Sequence, residues 1–166
     1  DYEDILITTG GSEAITITLL TCLNGGDEII VPEPFYANYY SFATSTDVEV
    51  VAITSHIEDG FVLPQIEEFE KKITERTKGI IICNPNNPTG HVYTRKELEQ
   101  IRDLVVKYDL FLLSDEVYRE FVYDGEEFIS IMQLEGIHDH AILIDSLSKR
   151  YSATGLRTGA LITKNK

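Results

Sequence analysis

Seven short runs of apolar and β-branched residues punctuate this chain, and most are followed by a turn and then by a stretch with helical periodicity. The runs fall at residues 5–8, 28–31, 48–53, 79–83, 110–113, 141–144 and 159–163. The fourth reads Gly79-Ile80-Ile81-Ile82-Cys83. Such a continuous apolar run suits a strand covered on both faces, not the in-out alternation of a half-solvated antiparallel sheet. Strand then helix, repeated, predicts an α/β domain whose parallel strands are joined by right-handed crossovers. A chain of 166 residues with 43% hydrophobic content buries one sizeable core, so a single domain over residues 1–166 is expected.

The connecting segments carry their own signals. Gly10, Gly11 and Ser12 lead from the first run into an apolar helix over 13–23, with Ser12 as its expected N-cap. Pro32-Glu33-Pro34 ends the second strand, and Phe35, Tyr36, Tyr39, Tyr40 and Phe42 follow in a helical segment where most of the aromatics should pack. Pro64 opens a helix that buries Ile66, Phe69 and Ile73 and leaves its charges solvated. Thr94-Arg95-Lys96-Glu97 is a capping box, and Leu98, Ile101, Val105 and Tyr108 form the buried stripe of the helix it starts.

Composition excludes some functions. Lysine and arginine number 14 against 28 acidic residues, a formal charge of -14, which argues against a nucleic-acid partner. No apolar run approaches the ~18 residues of a membrane span, and the first residues lack a signal-peptide pattern, so no membrane partner is expected. Cys22 and Cys83 lie in apolar runs and make no disulfide framework, which points to a reducing, cytoplasmic setting. His138 and His140 have only Asp139 beside them as a further ligand type and read as a surface loop, not a metal site. The chain starts at Asp1 without an initiator methionine and stops just past a strand, so a segment of a longer protein is expected.

The residues that could carry chemistry share an address. Gly11 and Ser12, Tyr36, Asn87, Asp115 with Tyr118, and Ser146 with Lys149 each fall shortly after a predicted strand, and a parallel sheet gathers such positions at one edge. A glycine turn entering a helix can hold a phosphate on its first N–H groups. Asn84-Pro85-Asn86-Asn87-Pro88-Thr89-Gly90 fixes its backbone tightly while offering side-chain amides, and an Asn-Pro bond there is a candidate for the cis form. Asp115 at the exit of an apolar strand needs a cation or strong donors. Lys149, in Ser-Leu-Ser-Lys, is a candidate reactive amine. Together these groups describe a ligand with a phosphate, a flat ring, a ring nitrogen that wants a carboxylate, a phenolic oxygen and a carbonyl that an amine can capture. Pyridoxal phosphate is such a ligand.

Gly-Gly-Ser-Glu-Ala, Asn-Pro-Asn-Asn-Pro-Thr-Gly, Ser-Asp-Glu-Val-Tyr, and Ser-Leu-Ser-Lys with Arg157 eight residues on, resemble in sequence and order the class I and II aminotransferases, fold-type-I pyridoxal-phosphate enzymes. The resemblance implies the large, cofactor-binding domain: a three-layer sandwich on a mainly parallel seven-stranded sheet whose last strand, 159–163, runs antiparallel. It implies that Lys149 forms the Schiff base with pyridoxal 5'-phosphate and that Asp115 pairs with the pyridine nitrogen. Tyr118 and Asn87 would bond the ring oxygen and Tyr36, rather than Phe35, would stack on the ring. Gly11, Ser12, Ser146, Arg157 and the backbone of Glu13 would hold the phosphate. It further implies a homodimer, amino acid and 2-oxo acid substrates, and an N-terminal segment and C-terminal small domain outside this chain. The expected activity is transamination, with the aspartate type as the candidate form. The alternatives are a pyridoxal-phosphate lyase, such as an aminocyclopropane-carboxylate synthase or carbon–sulfur lyase, and the sensor domain of a transcription regulator.

Overall fold

Each of the seven apolar runs forms a strand in the computed structural model, which describes residues 1–165. In chain order these are β1 (Ile5–Thr8), β2 (Glu28–Glu33), β3 (Glu49–Thr54), β4 (Thr77–Cys83), β5 (Phe111–Asp115), β6 (Ala141–Ser146) and β7 (Gly159–Thr163). They make one sheet in the order β1-β7-β6-β5-β4-β2-β3. The pairs β2/β3, β2/β4, β4/β5 and β5/β6 are parallel, whereas β7 runs antiparallel to both β6 and β1. The helices are α1 (Gly11–Cys22), α2 (Asn38–Ser45), α3 (Ile66–Lys72), α4 (Arg95–Tyr108) and the single turn α5 (Leu147–Arg150).

The apolar run of β4 explains the layering. Ile80 and Ile82 face one way, into a core with Phe69 of α3 and Leu98, Ile101 and Val105 of α4. Ile81 and Cys83 face the other way, into a core with Ala14, Ile15 and Leu19 of α1 and Tyr39 and Ala43 of α2. Successive strand residues point to opposite faces, so a strand between two helical layers needs apolar side chains at every position, and the result is a three-layer sandwich. Each isoleucine so buried contributes about 1.5–3 kcal/mol.

Several boundaries differ from the sequence expectation. β2 continues through Pro32, which pairs with Ile53 of β3; the ladder to β4 has already ended at Ile30, so the missing proline N–H falls where β4 no longer pairs. β5 runs on to Asp115 because its pairing with β4 continues to Cys83. In α4 the capping box forms as expected, but the buried stripe takes Leu104 and not Tyr108. Tyr108 ends the helix at the surface, where its hydroxyl donates to Glu70 Oε1 at 3.1 Å.

Candidate active site

The parallel strands β2, β4, β5 and β6 and the β1–α1 turn deliver their exits to one edge of the sheet, where a pocket of about 220 Å³ opens. Of the residues singled out in the sequence, Gly11, Ser12, Tyr36, Asn87, Asp115, Tyr118, Ser146, Lys149 and Arg157 line it. Glu13 does not: its carboxylate folds back to accept the Thr9 N–H at 2.5 Å.

One end of the pocket is built for an anion. The N-cap of α1 is Gly10, with φ 83°, and not Ser12. The left-handed backbone that glycine allows starts the helix two residues earlier than the hydroxyl pattern suggested, which leaves Ser12 inside the first turn and on the pocket wall. The N–H groups of that turn have no partner within the helix. Arg157 lies across them. Its own φ of 47° is left-handed, and its guanidinium donates to the Thr154 carbonyl at 2.9 Å and the Thr9 carbonyl at 3.3 Å, filling the space a side chain at Gly10 would need. Gly159 of β7 packs directly on the Gly10–Gly11 backbone, where any Cβ would collide. Ser146 is buried, accepts the Ser148 N–H at 3.1 Å and so caps α5. A guanidinium, the start of a helix and two hydroxyls, with the Glu13 carboxylate turned to the Thr9 N–H, suit a phosphate.

The deep end holds a carboxylate. Asp115 is 7% exposed; its Oδ2 accepts the Tyr39 hydroxyl at 2.8 Å and its Oδ1 the Val117 N–H at 3.3 Å. Burial pushes its pKa up to about 6, against the pull of those two donors; the Asp145 charge raises it further and the Lys149 ammonium lowers it. Tyr39 is fully buried, and its ring meets that of Tyr36 edge-on at 5.5 Å. Tyr36 faces the pocket, while Phe35 stacks on Tyr39 with centroids 6.3 Å apart and stays off the pocket. Tyr39 and Val117, both pocket residues, were missed in the sequence. The available signal was the position of Tyr39 three residues after Tyr36 at a helix start, but its packing role hid the hydroxyl.

Between the two ends Lys149 projects from α5, its Nζ 5.8 Å from the centroid of the Tyr118 ring. Asn87 comes from the loop after β4, where both Asn84-Pro85 and Asn87-Pro88 are cis. Asn84 locks that loop. Wholly buried, it donates through Nδ2 to the Ile129 carbonyl at 3.1 Å and accepts the Tyr93 N–H at 3.1 Å. Asn84→Ala strands both backbone groups in the interior, so chemical denaturation should show a loss of about 2–4 kcal/mol.

The donor set fits a phosphorylated heteroaromatic aldehyde: anion donors at one end, a buried carboxylate for a ring nitrogen at the other, an aromatic wall in Tyr36 and an amine between. His138 and His140 are engaged elsewhere, with Met132 and Leu110 carbonyls respectively, and among the described residues no cluster of metal-ligating side chains forms. Nor, among them, is any helix long and apolar enough to cross a membrane.

Comparison with known proteins places these features in context. The family model for aminotransferase class I and II matches residues 1–166. The chain is 40% identical over 157 residues to aromatic-amino-acid aminotransferase 2 of Thermococcus litoralis, covering 95% of this chain and 40% of that protein. It is 35% identical over 157 residues to an aspartate aminotransferase of Pyrococcus abyssi, with the same coverage. The solved structure of an aspartate aminotransferase from Thermotoga maritima superposes with a TM-score of 0.94 at 33% identity, over 99% of this chain and 44% of that one. The chain thus spans about two fifths of the length of the curated relatives it matches.

Proposed function

The chain belongs to the class I and II aminotransferases, a family that uses pyridoxal phosphate, and on that premise we propose that the protein containing it moves an amino group between an amino acid and a 2-oxo acid with pyridoxal 5'-phosphate held in this pocket. The observation that carries the reading is the convergence on one pocket of three separate parts of the chain: Gly11 and Ser12 at the start of α1, Asp115 at the end of β5, and Lys149 with Arg157 after β6.

Bound there, the cofactor supplies an aldehyde that takes up amines and a ring that draws electrons from the adjoining carbon. The protein's residues do the rest. Arg157, Ser12, Ser146 and the first-turn N–H groups of α1 anchor the phosphate. Asp115, as its carboxylate, holds a proton on the ring nitrogen, which keeps the ring electron-poor. Tyr118 and Asn87 donate to the ring oxygen, and Tyr36 covers one face of the ring. Lys149 would be the amine that holds the aldehyde, and once freed by a substrate amine its Nζ would serve as the base that moves the substrate Cα proton. Hydrolysis by one water would release the substrate as a 2-oxo acid, and the retained amino group would pass to a second 2-oxo acid with return of that water, so the two half-reactions balance. Homodimeric assembly and a cytoplasmic setting belong to the same reading; the first is supported by the family resemblance, the second by two free thiols, Cys22 and Cys83.

The test uses the full-length protein. Single-turnover incubation with aspartate, aromatic amino acids or alanine should yield one equivalent of the matching 2-oxo acid per site, with the amino group recovered on the cofactor. Release of ammonia instead would mark a lyase and overturn the assignment.

A further inference from the structure

Lys149 stands in α5, a helix of four residues. So short a turn has no stability of its own, because helix nucleation fixes several residues for one hydrogen bond. Ser146 caps its start, and the Tyr151 N–H closes back on the Leu147 carbonyl at 3.3 Å. Neither bond fixes the helix against the turn that carries Tyr118.

The chain neighbours of both residues meet on one carboxylate. Arg150, next to Lys149, donates through one nitrogen to both oxygens of Asp145, at 2.9 and 3.1 Å. Arg119, next to Tyr118, brings a guanidinium nitrogen within 3.0 Å of Asp145 Oδ2. The Ser146 N–H adds a bond to Asp145 Oδ1 at 2.8 Å. On the far side, the Nε atoms of both arginines lie 3.9 Å from the same Glu120 Oε1. Arg119, Asp145, Arg150 and Glu120 therefore form a closed ring of alternating charge. Its Asp145 and Arg150 side chains are only 15% and 12% exposed, unlike those of an ordinary solvated surface pair, which holds little.

We propose that this four-charge ring is a clasp that sets Lys149 against Tyr118, with Asp145 as its central positioning residue, an inference that rests on the role given to Lys149 above. Neither arginine lines the pocket, so both act through the residues beside them. Tyr118 sits on the turn that leaves β5 and Lys149 on the turn that leaves β6. The backbone ladder between those strands ends at Asp115 and Ile144, before either residue is reached. Beyond that point the clasp is the link that carries the register of the sheet outward. Displacing a reacting group by about 1 Å costs up to roughly 100-fold in rate, so the clasp governs turnover more than binding.

The experiment has two arms in the full-length protein. In the cofactor-free state, hydrogen exchange in Asp145→Asn should accelerate at least about 10-fold in peptides covering 116–121 and 147–153, with β4 unchanged, because the opening is local. This arm needs no cofactor, so it separates failure of the clasp from failure of the Lys149 assignment, which borohydride trapping of the lysine adduct checks. In the loaded enzyme kcat should fall about 10–100-fold with KM for the amino acid within about twofold. Arg119→Met and Arg150→Met should be non-additive in kcat, since both act through one carboxylate. Arg119→Lys, which keeps the charge, should recover much of what Arg119→Met loses. Where Asp145→Asn does not fold, Arg119→Met at a 31% exposed side chain gives the same two readouts. Unchanged local exchange, a uniform rise across the sheet, or additive arginine effects would overturn the proposal.

Discussion

Lys149→Ala in the full-length protein is expected to abolish the borohydride-fixed adduct with pyridoxal phosphate and to lower turnover by about 10⁴-fold or more. The figure is the upper end of what one acid–base group supplies, and Lys149 is assigned a second task as the amine that engages the aldehyde. Its place in the structure separates chemistry from folding. It stands on a one-turn helix at the pocket wall and contributes no side chain to either core cluster. Thermal unfolding of the cofactor-free variant should therefore stay close to that of the parent protein. Pyridoxal phosphate should still bind, weakly, through the Arg157 and α1 donors. Mass spectrometry of the reduced, digested protein reads the result directly: an adduct persisting elsewhere in the variant would sink the assignment.

Asp115→Asn should cut turnover by roughly 10²–10³-fold, the usual effect of removing one preorganised electrostatic group, while altering stability in a pH-dependent way. The Asp115 carboxyl has its pKa raised by burial to about 6 in the folded chain, from an ordinary value near 3.9. A raised folded pKa means that the folded state holds its proton more tightly, so this group's contribution is fully present below about pH 4 and is lost as pH rises through about 6. Asparagine is neutral at every pH and escapes that loss. It gives up one of the two acceptor oxygens that Tyr39 and Val117 use, a cost of about 1 kcal/mol. Urea unfolding of the cofactor-free proteins at pH 5 and pH 8 should show the variant gaining on the parent by about 1–1.5 kcal/mol across that interval. A flat difference between the two pH values would show that Asp115 is not a buried acid with a raised pKa. A residue that weakens the empty protein at neutral pH and serves the loaded one is the pattern expected where function competes with stability.

Much of this was legible in the sequence, for physical reasons that differ by element. The continuous run of β4 specified burial on both faces, and with it the parallel sheet and the shared edge where the candidates meet. The α4 start was legible because a capping box is a local device. Features that depend on backbone dihedrals or on distant partners were not. Ser12 looked like the cap of α1, but the chain takes its left-handed turn at Gly10, a choice that hydroxyl spacing does not encode. Tyr39 read as a packing aromatic because its partner, Asp115, lies 76 residues further along. The arginines of the clasp, Arg119 and Arg150, carry no local pattern that marks them. Only the adjacency of the β5 and β6 exits brings Arg119 within reach of Asp145.

The placement of β7 has a kinetic consequence. This strand sits between β1 and β6 and brings Gly159 beneath the Gly10–Gly11 turn and Arg157 against Thr9, 148 residues away in sequence. Closing so long a loop is entropically slow and is rewarded only when the final strand docks. The phosphate cradle is thus among the last parts of the domain to exist. During synthesis the Asp115 carboxylate and its Tyr39 partner can be in place while the anion end of the pocket is still open.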